Sequence, residues 1–356
     1  MLDRVFTHCV LRPGDLKPVR DGTRVVGAFN PGVARFGGEL VLLVRVAEEI
    51  TERRAGYLPS PRMEPDCRLT VDWLPSEDLD LSDPRVYTRT CDGHLRLRFI
   101  SHLQVVRSQD GRTPDPDGDK RCLIMPEGEY EEYGIEDPRI TRIGQTYYIT
   151  YVGVSRYGVA TCMMSTTDFN TFKRHGIMFC PDNKDVLLFP DRIAGNYLAL
   201  HRPMPSMKFT TPQIWIATSP DLMHWGGHQP VRVGRGGGNG HSDRIGGSTP
   251  PVRTEHGWLT LYHEACKCPE DPGTGTYTVG ALLLDLDNPR KIVAQSTEPI
   301  MIPTTPFETH GFVNHIVFPT AMIDHEDHYL VYYGAADENV GVTAFDKKQL
   351  LAAMES

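Results

Sequence analysis

Long apolar runs are missing from these 356 residues. No stretch approaches the ~18 consecutive apolar residues that a membrane-crossing helix needs, so no membrane partner is expected. The first twenty residues lack the apolar segment of a secretory signal, which makes residence in the cytoplasm the expectation. Runs of Lys and Arg are missing too. With a formal net charge of -9, the chain shows no electrostatic footprint for nucleic acid, although a local basic pocket for a small anion is compatible with it. The eight cysteines are scattered singly except for Cys266 and Cys268, a usage that fits reduced thiols. Cys266-Lys-Cys268 is half of a metal site with no second cluster at zinc spacing, so no metal is expected. Sustained 3.6-residue periodicity is scarce, which excludes a helical bundle.

What is present is short-period alternation cut by 33 glycines and 28 prolines. One pattern recurs five times: a turn, an apolar strand closed by a polar or small cluster, then a second strand closed by an Asp or Asn turn. The first strands lie at 36–47, 143–154, 194–203, 256–265 and 327–336, and their partners at 102–111, 158–169, 213–222, 278–289 and 341–347. Five copies of one hairpin predict an all-β fold, a five-bladed β-propeller with a central active-site funnel, over a pair of β-sandwiches. Residues 1–356 read as a single domain, with an insertion at about 48–94 holding a loop or an extra hairpin. A short helix is predicted over about 346–354.

A propeller brings the ends of its strands to one axis, so polar residues closing the first strand of each hairpin are the candidates for a site. They are Arg45 with Glu48, Arg156, His201 with Arg202, Tyr262-His263-Glu264, and Asp337 with Asn339. Gly134-Ile-Glu-Asp-Pro-Arg139 stands before the second hairpin. There Arg139 can pair with one carboxylate of Glu136 and Asp137 and leave the other free for proton transfer, unless the tetrapeptide is an ordinary acidic turn. Arg156, Arg174, Lys184, His201 and Arg202 form a basic set suited to an oxyanion, or else neutralise acidic neighbours. Gly234–Gly240 lacks the Lys-Ser/Thr ending and following helix of a phosphate loop and reads as a lid or loop. Trp225 and Trp258 are candidates for stacking on a sugar face, with core packing the stronger reading for Trp258.

Taken together, Phe29-Asn-Pro-Gly32, Gly134–Ile140, Tyr147–Val159, Asn183–Pro190, Leu200–Pro203, Gly246–Val252, Gly257–Glu264, Val279–Arg290 and Val331–Glu338 resemble glycoside hydrolase family 130, the β-mannoside phosphorylases and related β-mannosidases. The resemblance runs along nearly the whole chain. It implies a five-bladed propeller, an inverting mechanism, Asp137 as general acid, and phosphate bound by Arg156, Lys184, His201 and Arg174. It also implies sugar contact by Asp337, with Asn30, Arg45, Glu136, Arg202, Tyr262 and His263 as further substrate-binding candidates. Glu264 stands where the family often has Gly after Tyr-His, and the segment Cys266–Tyr277 departs from the family pattern.

Phosphorolysis needs one protein acid and a cradle for a dianion, because phosphate is already a competent nucleophile. An inverting hydrolase needs a second carboxyl, roughly 6.5–9.5 Å from the first, and Glu264 is the candidate base. The expectation is phosphorolysis of a β-mannoside oligosaccharide, with inorganic phosphate as co-substrate and no cofactor. Hydrolysis through Glu264 is the alternative, a non-catalytic sugar-binding propeller the second one, and a homo-oligomer is compatible with the extra loops.

Overall fold

The computed structural model describes residues 1–115, 122–207, 209–233, 244–268 and 271–355, and for 267, 268, 271–274 and 355 the backbone alone. The predicted lid Gly234–Gly240 and the side chain of Cys268 lie outside the described residues. The fold is all-β. Each expected hairpin is present as an antiparallel pair: Glu39–Ile50 with Phe99–Ser108, Thr146–Ser155 with Gly158–Thr166, Tyr197–Pro203 with Trp215–Ser219, Trp258–Cys268 with Asp271–Leu284, and His328–Ala335 with Asn339–Asp346. The segment after Cys266 is a continuation of the fourth hairpin's two strands.

These pairs are the middle strands of larger units. A preceding strand flanks each one: Thr23–Phe36, Gly134–Ile143, Asn183–Leu188, Arg244–Gly247 and Val317–His325. The first two units share one eight-stranded sheet, joined through a single parallel pair of Gly134 and Ser101. A Cβ on Gly134 would lie 2.8 Å from the Ser101 nitrogen, so only glycine permits this approach. The fifth unit is completed by Phe6–Leu11, which pairs with Asn339–Asp346. A helix, Lys347–Glu355, follows. Between the first unit's middle strands run an antiparallel pair, Tyr57–Met63 with Leu69–Pro75, and a small sheet of Leu79–Asp80, Val86–Arg89 and Leu95–Leu97.

The apolar core lies between units. Among the described residues, an apolar cluster lies across each of the five junctions between units. Leu43 and Ile149 belong to the one between the first and second, Val186 and Met163 to the next, and Leu200 and Trp258 to the third. Leu261 and Val331 lie in the fourth, and Tyr332 with Val44 in the fifth, which joins the last unit to the first. A sheet packed on both faces needs apolar residues at odd and even positions alike, and Leu40–Val44 has that composition.

Tyr262 belongs to this core. It is fully buried and lies directly across from Gly280 on the neighbouring strand, where a Cβ would fall inside its ring. We expect Gly280→Ala to cost about 1–3 kcal/mol through this overlap. Gly14→Ala, where a Cβ meets nothing within 4 Å, should leave the thermal midpoint unchanged. Thermal denaturation of the two variants checks this, and equal midpoints would refute it.

Candidate active site

Three flanking strands carry the same device. Register shifts interrupt Thr23–Phe36 after Phe29, Gly134–Ile143 after Glu136, and Asn183–Leu188 after Lys184. Within each interruption one residue adopts the left-handed region: Asn30 at φ 47°, Asp137 at φ 50° and Asp185 at φ 55°. Bulges of this kind redirect a side chain out of the strand's alternation, and non-glycine residues in this region are held there by their surroundings.

The first group formed around these bulges is acidic and open. The Asn30 amide donates to Asp137 Oδ1 at 2.8 Å, and Arg45 Nη1 donates to the same oxygen at 3.0 Å. Arg45 Nη2 donates to Glu136 Oε1 at 2.6 Å, and its guanidinium lies 4.5 Å from the centre of the Phe29 ring. Arg45, rather than the expected Arg139, therefore pairs with both acidic side chains. Burial pushes the Asp137 carboxyl up, but Arg45, Arg139, the Asn30 amide and Lys184 outweigh it and hold the group below the usual carboxylate range. Asp337, also in the left-handed region at φ 50°, is pushed the other way. Burial raises it, Arg85 and Arg45 oppose, and the charges of Asp137 and Glu136 add to the rise. Lys184 is close enough to act on Asp137, and among the described residues its ammonium has no hydrogen-bond or ion-pair partner.

The second group is more deeply buried and joins three units. Arg139 Nη1 donates to the main-chain carbonyl of Asp137 at 2.7 Å, Nε donates to the carbonyl of Ser248 at 3.1 Å, and Nη2 lies 3.7 Å from Asp185 Oδ1. Arg202 Nε donates to Asp185 Oδ2 at 2.6 Å, and His263 Nε2 lies 3.5 Å from that oxygen. His263 Nδ1 is 3.1 Å from the Ser248 hydroxyl. Burial raises the Asp185 carboxyl, but the guanidiniums of Arg202 and Arg139 hold it well below the usual range. Burial presses the His263 imidazole down to about 3, against the pull of Asp185, so the ring is neutral.

A third group surrounds His201. Its Nδ1 lies 3.0 Å from the Asn183 amide nitrogen and its Nε2 lies 3.2 Å from His228 Nδ1, and its ring stacks on Phe179 at 4.5 Å. With the Asn183 amide donating to Nδ1, the imidazole proton sits on Nε2. Burial, with His228 adding to it, lowers His201 to about 3.

The structure thus brings Asn30, Arg45, Glu136, Asp137 and Lys184 together, with Asp337 within reach of their charges. Arg202 and His263 act one layer further in, through Asp185. Other expected site residues are elsewhere. Arg174 donates to both oxygens of Glu131, at 2.7 and 2.8 Å, and to the Met125 carbonyl, on the outermost strand of its unit. Arg156 is clamped by Glu132 at 2.6 and 2.9 Å with 60% of its side chain exposed. Glu48 accepts from the Thr23 hydroxyl and the Val19 amide. Tyr262 is core. Glu264 is buried, and strand alternation places it on the face shared with Tyr262, opposite His263. Trp258 is core, and Trp225 packs beside Phe179. Sequence reasoning missed Asp185 as the hub. Its partners Arg139, Arg202 and His263 come from three other strands, so no local signal marked it.

A family model described as β-1,4-mannooligosaccharide phosphorylase matches residues 77–356. The chain belongs to glycoside hydrolase family 130. As a member of family 130 it is an enzyme, a glycosyl-transferring phosphorylase or a glycoside hydrolase. It is 37% identical over 352 residues to the β-1,2-mannobiose phosphorylase of Listeria innocua, covering 97% of this chain and 96% of that one. It is 30% identical to the β-1,4-mannooligosaccharide phosphorylase of Ruminococcus albus, covering 66% and 70%. The solved complex of the Listeria innocua enzyme with β-1,2-mannobiose superposes with a TM-score of 0.88 at 35% identity, over 98% of this chain and 99% of that one.

Both buried imidazoles make folding proton-linked. Each is neutral in the folded chain down to about pH 3, but charges near the ordinary 6.5 once unfolded. Unfolding therefore takes up protons between those values. The stability is fully present above pH 6.5 and is lost as pH falls toward 3. We expect the thermal midpoint to fall between pH 6.5 and 4.5, and His263→Gln to flatten that slope by about one proton. A variant as steep as wild type would sink this account.

Proposed function

We propose that the chain cleaves β-mannosides by inverting phosphorolysis, on a five-bladed propeller whose bulged strands line the axis. The circuit of five inter-unit clusters, with the last unit packed against the first, supports the propeller. The observation that carries phosphorolysis is Lys184. A cation without a protein partner among the described residues, beside the ionised Asp137, suits a dianion that arrives with the substrates.

In this reading phosphate lies against Lys184, and His201 Nε2–H turns to it from His228. Arg156 and Arg174, held by Glu132 and Glu131, are not part of the cradle. A phosphate oxygen attacks the anomeric carbon on the face opposite the leaving group. The glycosidic C–O bond breaks as the C–O bond to phosphate forms, which inverts β to α and gives α-mannose 1-phosphate. Asp137 supplies the proton that the departing oxygen takes.

Asp137 is a carboxylate in the free protein, the wrong state for a donor. Bringing a dianion to Lys184 offsets the charge that holds it ionised, and the proton is taken up with phosphate. Asp337, raised while Asp137 is lowered, accepts hydrogen bonds from sugar hydroxyls beside it. The extensive likeness to a β-1,2-mannobiose phosphorylase makes β-1,2-mannobiose the first substrate to test.

Incubation of the protein with β-1,2- and β-1,4-mannobiose, with and without phosphate, is the experiment. We expect phosphate-dependent release of α-mannose 1-phosphate. Asp137→Asn should lose about 10²–10⁴-fold in kcat while retaining saccharide binding, and Lys184→Ala should raise the phosphate KM at least tenfold. Cleavage indifferent to phosphate and abolished by Glu264→Gln would instead establish the hydrolase. Saccharide binding with no cleavage under either condition would leave a sugar-binding protein.

A further inference from the structure

We propose that Ser101 is a positioning residue for Asp137: its hydroxyl holds the Arg45 guanidinium in the plane that meets Asp137 and Glu136. This rests on the reading of Asp137 as the proton donor in β-mannoside phosphorolysis, and deepens it.

Ser101 lies on Phe99–Ser108 directly across from Ala47, while Arg45 lies across from Leu103. The two side chains therefore share one face of the sheet as diagonal neighbours. Phe29, across from Arg45 on its other side, and Phe99 project from the same face. Arg45 Nε donates to Ser101 Oγ at 3.2 Å, and the guanidinium lies 4.5 Å from the centre of the Phe29 ring and 5.8 Å from that of Phe99. Each nitrogen of the guanidinium thus has its own partner: Ser101 at Nε, Asp137 at Nη1 and Glu136 at Nη2. A guanidinium is planar, so anchoring Nε fixes where both Nη groups point.

Ser101 also acts through its main chain. It forms the single parallel pair with Gly134, on the strand that carries Glu136 and Asp137. One residue therefore sets both sides of the contact, the strand of the carboxylates by its backbone and the cation that meets them by its hydroxyl. Ser101 is fully buried and Arg45 nearly so, which leaves little solvent to take over the hydroxyl's role.

The cations that act on Asp137 are Arg45, Arg139 of its own strand and Lys184 of Asn183–Leu188. The carboxylates around it are Glu136, its neighbour in sequence, and Asp337 from the turn after His328–Ala335. Among the described residues Arg45 alone forms an ion pair with the Asp137 carboxylate, at 3.0 Å. Removing the Ser101 hydroxyl loosens that contact. The carboxylate is then less favoured, Asp137 keeps its proton to higher pH, and a donor that must be protonated to act works further into the alkaline range.

The test is the pH profile of kcat for phosphorolysis of β-1,2-mannobiose by wild type, Ser101→Ala and Ser101→Thr. In Ser101→Ala the kcat at the optimum should fall about 3- to 30-fold. Its alkaline limb should move up by about 0.5–1 pH unit, with both KM values within about threefold of wild type. Ser101→Thr keeps the acceptor and should hold the limb in its wild-type place. A limb unmoved in Ser101→Ala, even with a lower kcat, reduces the hydroxyl to packing and overturns the assignment, as does an equal movement in Ser101→Thr. A wild-type protein that turns over no β-mannoside with phosphate refutes the phosphorolysis reading instead. The crystal structure of Ser101→Ala then judges Ser101 without reference to activity: the Arg45 guanidinium should turn away from Asp137, and one that stays in place overturns the assignment.

Discussion

The carboxylate of Asp185 lies in the interior with two guanidiniums and a neutral imidazole around it, and the geometry of the site depends on that charge remaining compensated. Arg202 meets it directly, while Arg139 reaches it at longer range and spends its better-placed donors on two main-chain carbonyls. One of those carbonyls belongs to Asp137 and the other to Ser248 of the fourth unit. A single buried anion thus orients the arginine that fixes the backbone of Asp137. Removing one member of such a set leaves an uncompensated buried charge, which costs about 3–5 kcal/mol. That is comparable to a large part of a domain's net stability.

The repeated bulge explains how five similar units produce one dissimilar centre. Asn30, Asp137 and Asp185 occupy the same backbone conformation in three units but have different partners. The amide of Asn30 is a donor to Asp137, Asp137 is an acceptor with one oxygen engaged, and Asp185 is saturated by cations. Each sits where the strand's pairing is broken, so its side chain escapes the apolar layers that lie on either face. The cost of three left-handed non-glycine residues, of order 1–3 kcal/mol each, is borne by the packing between units.

The strands were legible because alternation and turn chemistry are local, and every expected hairpin is found at its expected place. The conformation of Asn30 and Asp137 was not legible, since nothing within a few residues forces a non-glycine residue to positive φ. Arg156 and Arg174 carried the right charge for an anion, but their partners Glu132 and Glu131 lie more than twenty residues away in the chain, and a sequence does not reveal which arginine is already engaged. Tyr262 and His263 are neighbours on a strand covered on both faces. Apolar and polar positions cannot be assigned there by period alone, so one proved to be core and the other part of the hub. The ionisation of Asp137 depends on Arg45, Asn30 and Lys184 from three other strands, besides Arg139 of its own, and is a property of the assembled centre.

The strand Phe6–Leu11 pairs with Asn339–Asp346, so the earliest part of the described chain and one of the latest lie side by side. During synthesis that first strand leaves the ribosome with no partner and stays an open edge until more than three hundred further residues have followed. The final sheet, and with it the packing of the last unit on the first, closes only once Asn339–Asp346 has been made. A nascent chain released before that point exposes the flank of its first sheet, which makes the interrupted product a client for chaperones rather than a smaller working enzyme.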